Sequence, residues 1–245
     1  MRRTVAQLVN RAIEFPTRAR AILAILLLAV CLVPVGLARA ESVSSGDIEP
    51  EIWFDEDTRP GVTQASEGEL VFLSPPPESR TLHSINTITV TRTSLDDGWV
   101  QLGQCYEGLD AVPAAEVVYQ YKKLRRLRIH SKSNIVQAVT RGQTVQLNDV
   151  QHGATLCIRA EAQILYPQAD GGFLLRNGPF HRRFLDGYFP LHVSMDVQFP
   201  STLLHYVDIS PEAQPGFEVD VQDEHMYIDT WFAGALTIEV HFSER

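Results

Sequence analysis

Leu191-His192-Val193-Ser194-Met195-Asp196-Val197-Gln198-Phe199 alternates without interruption. Leu191, Val193, Met195, Val197 and Phe199 fall on one side, and His192, Ser194, Asp196 and Gln198 on the other. Successive side chains of a strand point to opposite faces, so this pattern predicts a strand with one face on a core and the other in water. The same period recurs in Leu236, Ile238, Val240 and Phe242 against Thr237, Glu239 and His241, and in Leu156 to Ile164. Beyond residue 40 no long helical period is found. Turn signals recur instead at Asp96-Asp97-Gly98, Arg141-Gly142, His152-Gly153, Asp170-Gly171-Gly172 and Pro215-Gly216. Short strands punctuated in this way predict an all-β, antiparallel β-sandwich. Two small sandwich halves in tandem, residues 81–178 and 179–245, are the alternative arrangement, with Asn177-Gly178-Pro179 as the break.

Within that frame a few segments read locally. Ile135 to Val139, Val145 to Val150 and Ala154 to Leu165 form a meander, with His152-Gly153 as its second turn. Leu109 to Ala115 is ambiguous, since Asp110 could cap a short helix with Pro113 in its first turn. Cys157 lies on the polar side of its strand. Its disulfide would clip a neighbouring strand or loop from outside.

The residues just upstream of the opening stretch form the densest polar cluster beside aromatics: His181, Arg182, Arg183 and Asp186, with His192 and Asp196 following. They are the first candidate binding site. Histidine with aspartate could make an acid/base pair or part of a metal site. His192 and Asp196 are four residues apart on one strand, which separates their alpha carbons by about 13 Å. A shared ion would need a third ligand from another strand. The bland alternative pairs Arg182 or Arg183 with Asp186 across a turn at Gly187 and leaves His192 solvated. A second polar group, Asp220, Asp223, Glu224, His225 and Asp229, reads as a solvated acidic loop or as oxygen ligands for calcium.

The N-terminus has the grammar of an export signal. A basic leader (Arg2, Arg3, Arg11, Arg18, Arg20) precedes the uncharged apolar run Ala21 to Leu37 and the small-x-small site Ala38-Arg39-Ala40. Cleavage after Ala40 is expected, giving an exported protein, periplasmic or extracellular. An uncleaved anchor would be its only link to a membrane. Residues 41–80, rich in Ser, Pro and acid, read as a flexible leader, with Leu70 to Leu73 as an edge strand or tether. Removing residues 1–40 takes away six of the 21 Lys+Arg and one of the 30 Asp+Glu, leaving 15 against 29 and a net charge of −14. That balance argues against nucleic acid as a partner.

Two exceptions stand out in the mature chain. Lys122, Lys123, Arg125, Arg126 and Arg128 are five cations within seven residues. They could bind an anionic partner or pair with the chain's own carboxylates. Cys105 and Cys157, the only cysteines left after cleavage, are expected to form a disulfide in an oxidising compartment. Gly-x-Ser-x-Gly, Ser-x-x-Lys, His-Glu-x-x-His and phosphate-loop patterns are all absent. The sequence therefore leans away from an enzyme, although triads assembled from distant segments leave no local trace. The expectation is an exported, non-catalytic β-sandwich protein that binds an envelope or extracellular protein or glycan. No cofactor is expected, but the polar clusters leave room for a bound metal ion. A metal-dependent or hydrolytic module built on His181 to Asp196 is the alternative.

Overall fold

The structure, a computed structural model, describes the backbone of residues 6–10, and residues 68–245 apart from Ser79, Asp170 and Asp186. Its elements are β1 (Ala6–Asn10), β2 (Val71–Phe72), β3 (His83–Thr89), α1 (Arg92–Asp97), β4 (Trp99–Leu109), β5 (Ala114–Tyr119), β6 (Leu124–Arg141), β7 (Thr144–Gln163) and β8 (Leu165–Pro167). They continue with β9 (Phe173–Phe180), β10 (Arg182–Phe184), β11 (Gly187–Phe189), β12 (Leu191–Gln198), β13 (Leu204–Ser210), β14 (Phe217–Val221), β15 (His225–Ala233) and β16 (Leu236–Glu244). The expected signal sequence, apart from the backbone of β1, lies outside the described residues, as do the flexible leader up to residue 67 and the candidate Asp186.

The all-β expectation holds. Among the described residues, twelve strands form one sheet, along the path β11-β10-β1-β5-β7-β4-β3-β12-β15-β14 with β2 and β6 beside it. A second sheet runs β13-β16-β9-β8. The opening stretch becomes β12, between β3 in parallel and β15 in antiparallel pairing. Val193 and Val197 are fully buried and Met195 nearly so, while His192, Ser194, Asp196 and Gln198 face away from the core. Each buried side chain of this kind contributes roughly 1.5–3 kcal/mol. Leu236, Ile238, Val240 and Phe242 of β16 are likewise buried. Phe199 meets Phe242 at 5.0 Å between ring centroids, one of the contacts joining the two sheets over a single core. The segments before and after residue 178 contribute strands to both sheets, and Asn177-Gly178-Pro179 is a bulge inside β9 rather than a break. Gly178, at φ +114°, permits it, because a Cβ there would stand 2.6 Å from the Leu236 carbonyl oxygen.

One ambiguous segment is settled and two local expectations need correction. Residues 110–113 form no helix. They link β4 to β5, which run end to end along β7, and Val112 and Val150 exchange backbone hydrogen bonds of 3.1 and 3.0 Å. Pro113 fits this ladder because only its carbonyl is used, accepting from Asp149 N–H at 2.8 Å. His152-Gly153 is not a turn either. β7 runs through it, and Asn134 Nδ2 donates to the carbonyls of His152 and Gly153, so the expected meander is one long hairpin of β6 and β7. Finally, Asp96-Asp97-Gly98 closes the short helix α1, whose start is fixed by Thr91 N–H donating to Ser94 Oγ at 2.9 Å.

The leader's apolar island is an edge strand: β2 pairs with the end of β15, and Leu73 N–H donates to the Trp231 carbonyl at 2.7 Å. The core also holds a satisfied polar string. Tyr119 OH donates to Gln104 Oε1 at 2.9 Å, and Gln104 Nε2 donates to Asn86 Oδ1 at 2.7 Å. Burial pushes the phenols of Tyr106, Tyr119 and Tyr121 well above their ordinary range, so they stay neutral.

Candidate functional site

The large sheet buries one face against the small sheet, and its other face carries the disulfide and several polar clusters. Cys105 of β4 and Cys157 of β7 stand directly opposite each other on that outer face, and they are disulfide-bonded with alpha carbons 4.0 Å apart. The bridge therefore clips neighbouring strands from outside, as the polar-face position of Cys157 predicts. Closing a chain separation of 52 residues, it stabilises the fold by about 4 kcal/mol through loop-closure entropy.

Beside the bridge lies a hollow of about 550 Å³, lined by Thr87, Gln101, Arg126, Arg128, His130 and Arg159 among others. A second hollow of about 470 Å³ adjoins it, sharing Ile85 and Thr87, and is lined by Asp196, Glu218, Asp220, Tyr227 and Asp229. The outer face thus has an arginine end and a carboxylate end, and β3 lies between them. The basic block is split by this geometry. Arg125 and Arg126 both bind Glu161, and Arg125 also stacks on Trp99 at 4.1 Å. The Arg125 hydrogen bond, helped by Arg126, holds the Glu161 carboxyl below its ordinary value. Lys122, Lys123, Arg128 and Arg159 are exposed and have no carboxylate partner among the described residues. Cations along an edge strand such as β6 also discourage unwanted strand pairing.

The His181 to Asp196 candidates separate into different environments. His181 is buried, 6 % exposed, with its ring edge on Tyr188, and neither nitrogen has a hydrogen-bond partner among the described residues. Burial, then the charge of Arg183, pushes its pKa down to about 4. Arg182 reaches back to Asp110, with two contacts of 2.6 and 3.2 Å. Arg183 lies over the Tyr188 ring at 5.6 Å. Asp196 accepts from His225 at 3.0 Å. Of the described candidates, only His192 stands in a convergent group of three possible ligands, and the other two come from other strands.

That group follows from register. His83 of β3, His192 of β12 and Trp231 of β15 are laterally paired, and their rings stack at 3.8 and 4.0 Å. At the next pair on the same face of β12 and β15, two residues along, Ser194 stands opposite Asp229. Ser194 Oγ donates to Asp229 Oδ1 at 2.6 Å, and His192 Nε2 meets the same oxygen at 2.8 Å. His83 Nε2 lies 2.7 Å from Ser194 Oγ. Ser194 has one proton and gives it to the carboxylate, so His83 Nε2–H must donate to Ser194. That is the reverse of a nucleophilic serine, whose histidine takes the proton. Burial, then the nearby His192, lowers the His83 pKa, while Asp229 and Glu107 oppose the shift. His83, His192 and Asp229 are also the residues here that could hold a metal ion, since one ligand atom from each lies within 4.8 Å of the others. Sequence reading placed Asp229 in the acidic group and missed His83, which sits more than a hundred residues from His192 in a Thr-rich strand without a motif.

No protein-family model matches this chain, and no curated protein matches it. Among solved structures it is similar to a two-domain M1 zinc metallopeptidase mutant bound to L-tryptophan, at TM-score 0.35 and 11% identity over 67% of this chain and 43% of that one. It is also similar to an M1 zinc metallopeptidase from Deinococcus radiodurans, at TM-score 0.34 and 12% identity over 67% of this chain and 42% of that one. The chain thus spans less than half the length of these structures, and a likeness of this degree bears on neither activity nor metal content.

Proposed function

We propose that this chain is an exported, non-catalytic β-sandwich protein that binds an anionic protein or glycan of the envelope or extracellular space through the arginine end of its outer sheet face. The observation that carries this reading is the hollow of about 550 Å³ on that face, where Arg128 and Arg159 stand without a carboxylate partner among the described residues. In a mature chain of net charge −14, two unneutralised guanidinium groups over a concave surface are a local exception suited to phosphate, sulfate or carboxylate. Support for export comes from the leader's basic, apolar and small-residue order and from the Cys105–Cys157 bridge, which suits an oxidising compartment. Among the described residues, the candidates from His181 to Asp196 do not converge with one another, and His192 groups instead with His83 and Asp229 from other strands.

Two measurements test the reading. Cell fractionation with mass spectrometry is expected to find a chain starting at Glu41 outside the cytoplasm; an intact cytoplasmic chain would refute export. Retention on a sulfated-polysaccharide matrix is expected to fall with salt and to be largely lost in Arg128→Glu/Arg159→Glu. Equal retention of wild type and variant would refute the arginine surface.

A further inference from the structure

We propose that His83, His192 and Asp229 form a binding site for a single divalent transition-metal ion, Zn²⁺ or Cu²⁺, on the outer face of the large sheet. The three residues come from three adjacent strands, β3, β12 and β15, so the site is a product of strand register. Neighbouring strands stand about 4.8 Å apart. Laterally paired histidines on one face therefore lie ring against ring, and here the centroids are 3.8 Å apart. Both Nε2 atoms turn towards the same neighbour pair, Ser194 and Asp229, at 2.7 and 2.8 Å from Ser194 Oγ and Asp229 Oδ1.

The spacing suits a small ion. Ligand atoms around a tetrahedral ion at 2.0–2.1 Å stand about 3.3 Å from one another. Small side-chain rotations would bring the three atoms, already within 4.8 Å of one another, to that separation. Two imidazoles and one carboxylate select zinc or copper over calcium or magnesium, which take oxygen ligands almost exclusively. Three protein ligands leave a further position open to water or to a partner's donor group. Trp231 lies flat on His192 at 4.0 Å and closes off its far side, while Ser194 steadies the carboxylate. A neutral imidazole that ligates through Nε2 carries its proton on Nδ1, so binding moves each ring proton from Nε2 to Nδ1, and the ion takes the place of the hydrogen bonds that the two Nε2 atoms now make. The second histidine–aspartate pair on this face, His225 with Asp196, belongs to no such three-ligand group among the described residues and provides an internal control.

The test uses the full chain, stripped with chelator, dialysed, and titrated with Zn²⁺ and separately with Cu²⁺ by calorimetry. Cu²⁺ binding is also followed by fluorescence and electron paramagnetic resonance. One ion per chain is expected, with two nitrogen ligands in the Cu²⁺ spectrum and quenching of the tryptophan on His192. His83→Gln, His192→Gln and Asp229→Asn should each weaken binding by at least about tenfold. His225→Gln should not, and Trp231→Phe should keep the affinity while losing most of the quenching. Asp229 is half-exposed, so Asp229→Asn reports on the site without risking the fold. No saturable binding, unchanged affinity in Asp229→Asn, or equal weakening in His225→Gln would each overturn the proposal.

Discussion

Acid should weaken this fold in large part through His181. It is buried against Tyr188 beside Leu82, Phe180 and Leu191, with both ring nitrogens lacking hydrogen-bond partners among the described residues. Charging it there costs desolvation, so its folded pKa falls to about 4, while in the unfolded chain it stays near 6.5. Between those values the unfolded state binds a proton that the folded state refuses. Stability is therefore complete above about pH 6.5 and declines as pH falls towards about 4. A gap of about 2.5 units sets a ceiling near 3 kcal/mol at 1.36 kcal/mol per unit. Part of the gap comes from Arg183, whose charge solvent screens, so the expected loss is about 2 kcal/mol. The assay is urea unfolding followed by circular dichroism at several values between pH 7.5 and 4, for wild type and for His181→Phe, which fills the same apolar surroundings without titrating. Other histidines titrate alike in both proteins and cancel in the difference. Stability curves that stay parallel across this range would refute the reasoning.

Two further predictions concern the scaffold. Gly234 sits at φ +93°, where a Cβ would clash with the Glu69 carbonyl oxygen, so Gly234→Ala should cost at least about 2 kcal/mol and loosen β2 from β15. Denaturant unfolding with protease cleavage near residue 70 would show both effects, and an unchanged midpoint would argue against that close approach. Cys105→Ser/Cys157→Ser should lower stability by about 4 kcal/mol, matched by wild type under reductant. A loss well below 2 kcal/mol would mean that residual structure already restrains the unfolded chain.

How much of this was legible beforehand depends on the range of the cause. The alternation of Leu191 to Phe199 and of Leu236 to Phe242 is a property of consecutive residues, and both became strands with the expected faces buried. The disulfide followed from counting cysteines, and its outward position from the face of Cys157. Errors appeared where a local preference met a neighbour that sequence does not name. Asp110, in a segment that the sequence left ambiguous, caps no helix and answers Arg182. His152-Gly153 looked like a turn but is crossed by β7, because β4, β5 and β6 supply partners on both sides of it and the Asn134 side chain donates to its two carbonyls.

The sequence by itself determined the all-β class, the burial of alternate side chains and the pairing of its two later cysteines, because each needs only neighbours along the chain or a count of residues. Tertiary structure alone decided which outward side chains meet. His192 is four residues from Asp196 but joins His83 and Asp229, while Asp196 turns to His225. Strand register places residues side by side at about 4.8 Å, closer than any two same-face residues within one strand. The convergence of imidazoles and carboxylate is therefore a fact about pairing, written in hydrogen bonds between segments 35 to 111 residues apart.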